Sequence, residues 1–83
     1  MNAKEARKLT AKNEERQKEI RKLIEKNEEK IKSACNNGKR ETDIYAGYCI
    51  NGRPRYPEII EHFEKLGYKL NYVYGTNLFD IIW

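Results

Sequence analysis

No glycine or proline interrupts the chain between residues 3 and 35, and Ala, Lys, Glu, Arg, Leu and Ile fill most of that stretch. These residues lose little side-chain freedom in a helix, and nothing among them blocks continuous backbone hydrogen bonding. A single long helix is therefore the first expectation, and it commits nearly half of the chain. Asn2 marks its start as a side-chain cap, with Glu5 three residues later in a capping-box spacing. Asn36-Asn37-Gly38 marks its stop, Gly38 suiting the left-handed position beyond a helix end.

The apolar face of this helix is narrow and unevenly filled. Leu9, Ile20 and Ile31 recur every 11 residues, as do Asn13, Ile24 and Cys35, with Leu23 and Ala34 between them. Three nearly straight turns span 11 residues, so these positions form one stripe. The stripe is dense from Ile20 to Cys35 and nearly empty from Ala11 to Glu19. The second half of the helix is thus expected to pack on the rest of the chain, and the first half to project or meet another chain. A polar helix gains little alone, so docking on a second copy is expected, with Leu9, Asn13 and Ile20 at that interface.

Beyond Gly38 the period changes. Thr42, Ile44, Ala46, Tyr48 and Ile50 alternate with Asp43, Tyr45, Gly47 and Cys49, the pattern of a strand running to the Asn51-Gly52 turn. Pro57 suits the first position of a short helix whose apolar face is Ile59, Ile60, Phe63 and Leu66, stopped at Gly67. Residues 68–74 read as a strand with Tyr68, Leu70, Tyr72 and Tyr74 on one face, Tyr72 and Tyr74 being candidates for an interface between copies. Gly75-Thr76-Asn77 connects to a last strand, Leu78 to Trp83, apolar except for Asp80 and so expected to be central and covered on both faces. The fold class is α+β: a helical arm over residues 1–38 and a β-α-β-β head over residues 39–83. The first two strands, joined through the helix, should run parallel, with the last strand between them and antiparallel to both in a mixed three-stranded sheet.

Charge follows the same division. The 83 residues carry a net +4, with 13 Lys and Arg against 7 acids up to Arg40, and 4 against 6 beyond it. All 9 aromatic residues lie in the second part. Lys18, Lys22, Lys26 and Lys30 follow one another at i+4, as do Lys4, Lys8, Lys12 and Arg16. This ridge reads either as a phosphate-binding surface for nucleic acid or as a solvated face laced with ion pairs such as Glu14–Lys18 and Glu28–Lys32. No run approaches the ~20 apolar residues that span a bilayer, and the charged start lacks the apolar stretch of a signal peptide. Cys35 and Cys49 form no Cys-x-x-Cys pair and His62 is the lone histidine, so structural thiols are expected in place of a four-ligand zinc site.

Tyrosine and arginine interleave at one place only, around the first strand and the loop after it. Lys39, Arg40, Tyr45, Tyr48, Arg53, Arg55 and Tyr56 are the candidate ligand-binding residues. Arginine forks onto a phosphate, and tyrosine stacks on a base or hydrogen-bonds to a ribose. The same set also reads as a tyrosine cluster at the core edge with solvated arginines. No Gly-rich phosphate loop, nucleophile elbow or metal-ligand spacing is present, so neither catalytic residues, a cofactor nor a metal is expected.

The opening Met1-Asn2-Ala3-Lys4-Glu5-Ala6-Arg7, the helix end from Ala34 to Gly38, Leu66-Gly67-Tyr68 and the final Ile81-Ile82-Trp83 resemble a group of small, mostly uncharacterised proteins of phages and prophages of Gram-positive bacteria. The resemblance rests on structural punctuation and carries no functional residue across. It implies an accessory protein of the host bacterial cytoplasm, in a size range where counter-defence factors are common. The expected function is a non-enzymatic binder: a homo-oligomeric sponge for a phosphate-bearing nucleotide immune signal, or an inhibitor bound to a host defence protein. The alternative from another class is a nucleic-acid-binding accessory protein using the lysine ridge.

Overall fold

The computed structural model describes all residues from Met1 to Trp83. Helix α1 runs from Ala3 to Asn36, strand β1 from Glu41 to Tyr45, and two short strands follow, β2 (Cys49–Ile50) and β3 (Arg53–Pro54). Helix α2 spans Pro57–Lys65, strand β4 Lys69–Tyr72 and strand β5 Leu78–Ile82. The chain is thus α+β, with a long N-terminal helix and a three-stranded sheet.

The local signals act where the sequence places them. The Asn2 side chain accepts a 2.9 Å hydrogen bond from the Glu5 N–H and so caps α1. At the other end Gly38 has φ +72°, the Gly38 N–H bonds to the Cys35 carbonyl, and the Lys39 N–H reaches back to Ala34. Those paired bonds satisfy carbonyls that a helix end leaves free. Helix α2 stops in the same way at Gly67.

The sheet order is β1-β5-β4, with both ladders antiparallel. The last strand therefore sits in the middle, as expected, and β1 and β4 run parallel without touching. Ile44, Phe79 and Tyr72 lie in one row across the sheet, and Thr42, Ile81 and Leu70 in the next. On this face Ile44, Phe79 and Ile81 join Ile59 and Phe63 of α2 and Ile20, Leu23 and Ile31 of α1 in a single core. The arm and the head consequently share one core, and the boundary at residue 38 separates elements, not packing units.

Two expectations about the sheet change. The opposite face carries Glu41, Asp43, Tyr45, Asn71, Leu78, Asp80 and Ile82, and neither helix covers it; β5 is central but covered on one face only. The expected strand from Thr42 to Ile50 is broken after Tyr45. Gly47 turns to φ +92°, and Cys49–Ile50 pairs instead with Arg53–Pro54 in a separate two-stranded ladder. A period-two sequence pattern cannot report such a break, because the alternation resumes beyond it.

Helix α1 lies along the edge of β1. Hydrogen-bond parity shows how: the Trp83 N–H donates to the Arg40 carbonyl, so Arg40, Thr42 and Ile44 aim their backbone groups at β5. Tyr45 therefore points its own N–H and carbonyl outward, and the Asn27 side chain meets both, at 3.1 and 2.8 Å. Asn27 is 2% exposed, and both its Oδ1 and its Nδ2 are engaged there. This closes the end of a strand edge that would otherwise offer free backbone groups.

Candidate binding groove at the β2–β3 hairpin

The hairpin that follows β1 is shaped by its backbone before any side chain is placed. Asn51 and Gly52 both have positive φ, 53° and 76°, the pairing that a tight two-residue hairpin turn requires. At the base of the hairpin the Arg55 N–H donates to the Tyr48 carbonyl and the Tyr56 N–H to the Ala46 carbonyl. The two segments close so tightly that a Cβ at Gly47 would lie 2.7 Å from the Arg55 Cβ, so only glycine fits. Asn77 anchors the hairpin to the β4–β5 connection by accepting the Cys49 N–H at 3.0 Å. Burial pushes the Cys49 thiol up from its ordinary value, in keeping with a packed structural thiol.

This closure leaves an open groove of about 780 Å³ lined by Tyr48, Ile50, Asn51, Arg53, Pro54 and Arg55. Tyr48 is 64% and Ile50 67% exposed, and neither Arg53 nor Arg55 forms an ion pair. The groove thus combines two guanidinium groups without acidic partners, that of Arg55 also lying over the Tyr56 ring, with an exposed aromatic ring and apolar side chains. An anion that also carries a flat ring system matches that combination.

The seven candidate residues do not stay together. Tyr48, Arg53 and Arg55 line the groove. Tyr56 does not: it is 6% exposed and belongs to the core, with the Arg16 and Arg55 guanidiniums 5.4 and 5.5 Å from its ring centroid. Its ring is already occupied, which corrects its expected role as a stacking surface. Tyr45 lies on the uncovered sheet face. Lys39 and Arg40 line a separate cleft, also about 780 Å³, with Lys30, Asn37, Glu41, Asp43 and Asp80. There Lys30 is paired with Asp43, two further carboxylates face the cleft, and the carbonyl end of α1 closes it. Those negative groups oppose an anion, so the cleft is the poorer phosphate site.

The interface candidates also divide. Leu9 and Asn13 are exposed on the projecting part of α1, whereas Ile20 is 5% exposed inside the chain's own core and is unavailable to a partner. Tyr72 is half-buried against Phe79, with ring centroids 5.5 Å apart, and its hydroxyl donates to the Thr76 carbonyl. Tyr74 is 95% exposed but sits in the turn after β4, not on the strand.

The charged ridge of α1 is organised by contacts between elements. The expected Glu14–Lys18 and Glu28–Lys32 pairs do not close. Instead Arg16 forks onto Glu58 at the start of α2, and Lys30 reaches Asp43 on β1. The Arg16 hydrogen bonds hold the Glu58 carboxyl below its ordinary value, and the same bonds raise the Arg16 guanidinium. Lys18, Lys22 and Lys26 remain exposed without an acidic partner. Asn27 and Arg16 are the two determinants that sequence reasoning passed over. Asn27 stood as a polar residue at helical spacing within the apolar stripe, a visible signal; the Glu58 partner of Arg16 had none.

No group of three or more His, Cys, Asp and Glu side chains gathers in an arrangement able to hold a metal ion. No helix is long and apolar enough to cross a membrane. Comparison with protein-family models, curated proteins and solved structures finds no match to this chain.

Proposed function

We propose that this protein is a non-enzymatic binder that captures a phosphate-bearing nucleotide in the β2–β3 groove. The observation that carries the reading is the meeting of two unpaired arginines, Arg53 and Arg55, with the exposed ring of Tyr48 on one glycine-shaped hairpin. In this reading the guanidiniums fork onto phosphate oxygens while Tyr48 stacks on the base, with Ile50 and Pro54 against its apolar edge. The resemblance to phage accessory proteins makes a host immune signal the ligand class to try first, and capture without turnover the mode of action.

Titration calorimetry with AMP, ADP-ribose and a set of cyclic nucleotides tests this directly. Binding that weakens strongly in an Arg53→Ala/Arg55→Ala protein of unchanged melting temperature supports it, and flat titrations across the whole set remove it. A direct inhibitor of a host defence protein is the close variant, separated by pull-down from host lysate with the same double substitution as control.

The unpaired lysines Lys18, Lys22 and Lys26 favour a second reading, a nucleic-acid-binding role for the outward face of α1. It requires an affinity that falls steeply with salt and that is lost on replacing those three lysines while tolerating the arginine changes.

A further inference from the structure

We propose that the free edge of β4 is a self-pairing surface, on which a second copy of this chain adds its own β4 antiparallel about an axis at Asn71. The two edges of the sheet are treated differently by the fold. The β1 edge lies under α1 and is clamped at Tyr45 by Asn27. No comparable element lies along β4.

Backbone parity identifies what β4 offers. The Val73 N–H donates to the Leu78 carbonyl, so Val73, Asn71 and Lys69 aim their backbone groups at β5. The N–H and carbonyl groups of Leu70 and Tyr72 therefore point away from the sheet, and neither residue's backbone finds a partner outside that ladder. Tyr68 shares this outward parity, but its N–H is already donated to the Phe63 carbonyl at the end of α2.

These groups complement themselves in one register. With Asn71 opposite Asn71 of the second copy, Leu70 stands opposite Tyr72 twice, and each such pair closes two hydrogen bonds. Sliding two residues one way places Tyr72 opposite Tyr68, whose N–H is taken; sliding the other way places Leu70 opposite Tyr74, which lies in a turn. The Asn71-centred register also sets Lys69 against Val73, so no like charges meet. On the core face the half-buried Leu70 and Tyr72 continue across the axis. Ile60 is likewise half-buried against the core, on the side of α2 turned away from Glu58 and His62, which meet α1. A four-residue edge buries less than the ~1,200 Å² of a stable complex, so the pairing is weak and concentration-dependent. It is independent of the ligand reading, since none of these residues lines the hairpin groove.

An Asn71→Cys substitution in a Cys35→Ser/Cys49→Ser chain tests the register by mild oxidation and non-reducing electrophoresis. Cα atoms opposite each other in such a pair lie about 4.5 Å apart, within disulfide range. Lys69→Cys is the control, because its two copies would stand about 13 Å apart. Rapid dimer formation by the first and little by the second is expected. Amide exchange on the unsubstituted chain gives a second readout: Leu70 and Tyr72 should exchange more slowly as concentration rises from micromolar to millimolar. Equal crosslinking of the two cysteine variants, or exchange at Leu70 and Tyr72 that ignores concentration, overturns the proposal.

Discussion

The two halves of α1 are alike in composition and opposite in fate. Both are rich in Lys, Arg and Glu, free of Gly and Pro, and part of one unbroken helix. From Ile20 to Ala34 the helix places Ile20, Leu23, Asn27, Ile31 and Ala34 against the head, whereas residues 3–15 carry only Leu9 as a large apolar side chain and stand clear of it. At 1.5 Å per residue the 34-residue helix is about 51 Å long, which accounts for the 54 Å long axis of the molecule. Helix propensity therefore extends the element, while burial decides which part of it belongs to the fold.

Substitutions along this helix can break the contrast, and the largest effect is expected inside the core. Ile31→Ala removes a side chain that is 7% exposed and should cost about 2–5 kcal/mol in denaturant unfolding. A loss below about 1 kcal/mol would mean that the docked half packs loosely. Asn27→Ala comes next, at about 1–3 kcal/mol, since it strands the Tyr45 N–H and carbonyl under the helix. The matching local readout is faster amide exchange at Tyr45.

The Arg16–Glu58 pair marks the border between the two halves, and its effect is read through pH. The Glu58 carboxyl is held below its ordinary value by the Arg16 hydrogen bonds, so its stabilising contribution is present above the ordinary glutamate range and is lost as pH falls through the lowered value. The stability gap between the native protein and Glu58→Gln should accordingly be widest near neutral pH, close in acid and shrink with salt. A gap that grew in acid would assign the contact another role. Leu9→Ala should change monomer stability by less than about 0.5 kcal/mol. A larger loss at high protein concentration alone would show that the projecting half has found a partner.

Much of this architecture was legible because it follows local rules. Asn2 and Gly38 bound α1, Pro57 and Gly67 bound α2, and the nearly apolar run of β5 marked it as the central strand between β1 and β4. What escaped depended on contacts between distant residues. The break at Gly47 arises because Arg55 and Tyr56 come back against it, and no alternation pattern contains that. Tyr56 looked like Tyr48 in sequence, yet the first is roofed by two guanidiniums and the second faces solvent. Lys39 and Arg40 were grouped with Arg53 and Arg55 by nearness in the chain, but they border a different cleft among carboxylates. The groove itself was half legible: of the seven residues grouped by sequence, the closed hairpin brings three, Tyr48, Arg53 and Arg55, to one groove.

The central place of β5 bears on how this chain acquires its structure during synthesis. Both ladders of the main sheet run through residues 78–82, which follow β1 and β4 in sequence. While a ribosome is still making that segment, β1 and β4 lack the strand that joins them, and Ile44, Phe63 and the apolar stripe of α1 lack a floor to close on. The nascent chain can form its helices early but must wait for residues 78–82 to assemble the sheet, an interval in which exposed strand edges invite wrong pairings. The charges that crowd α1 would keep that waiting chain in solution until β5 arrives.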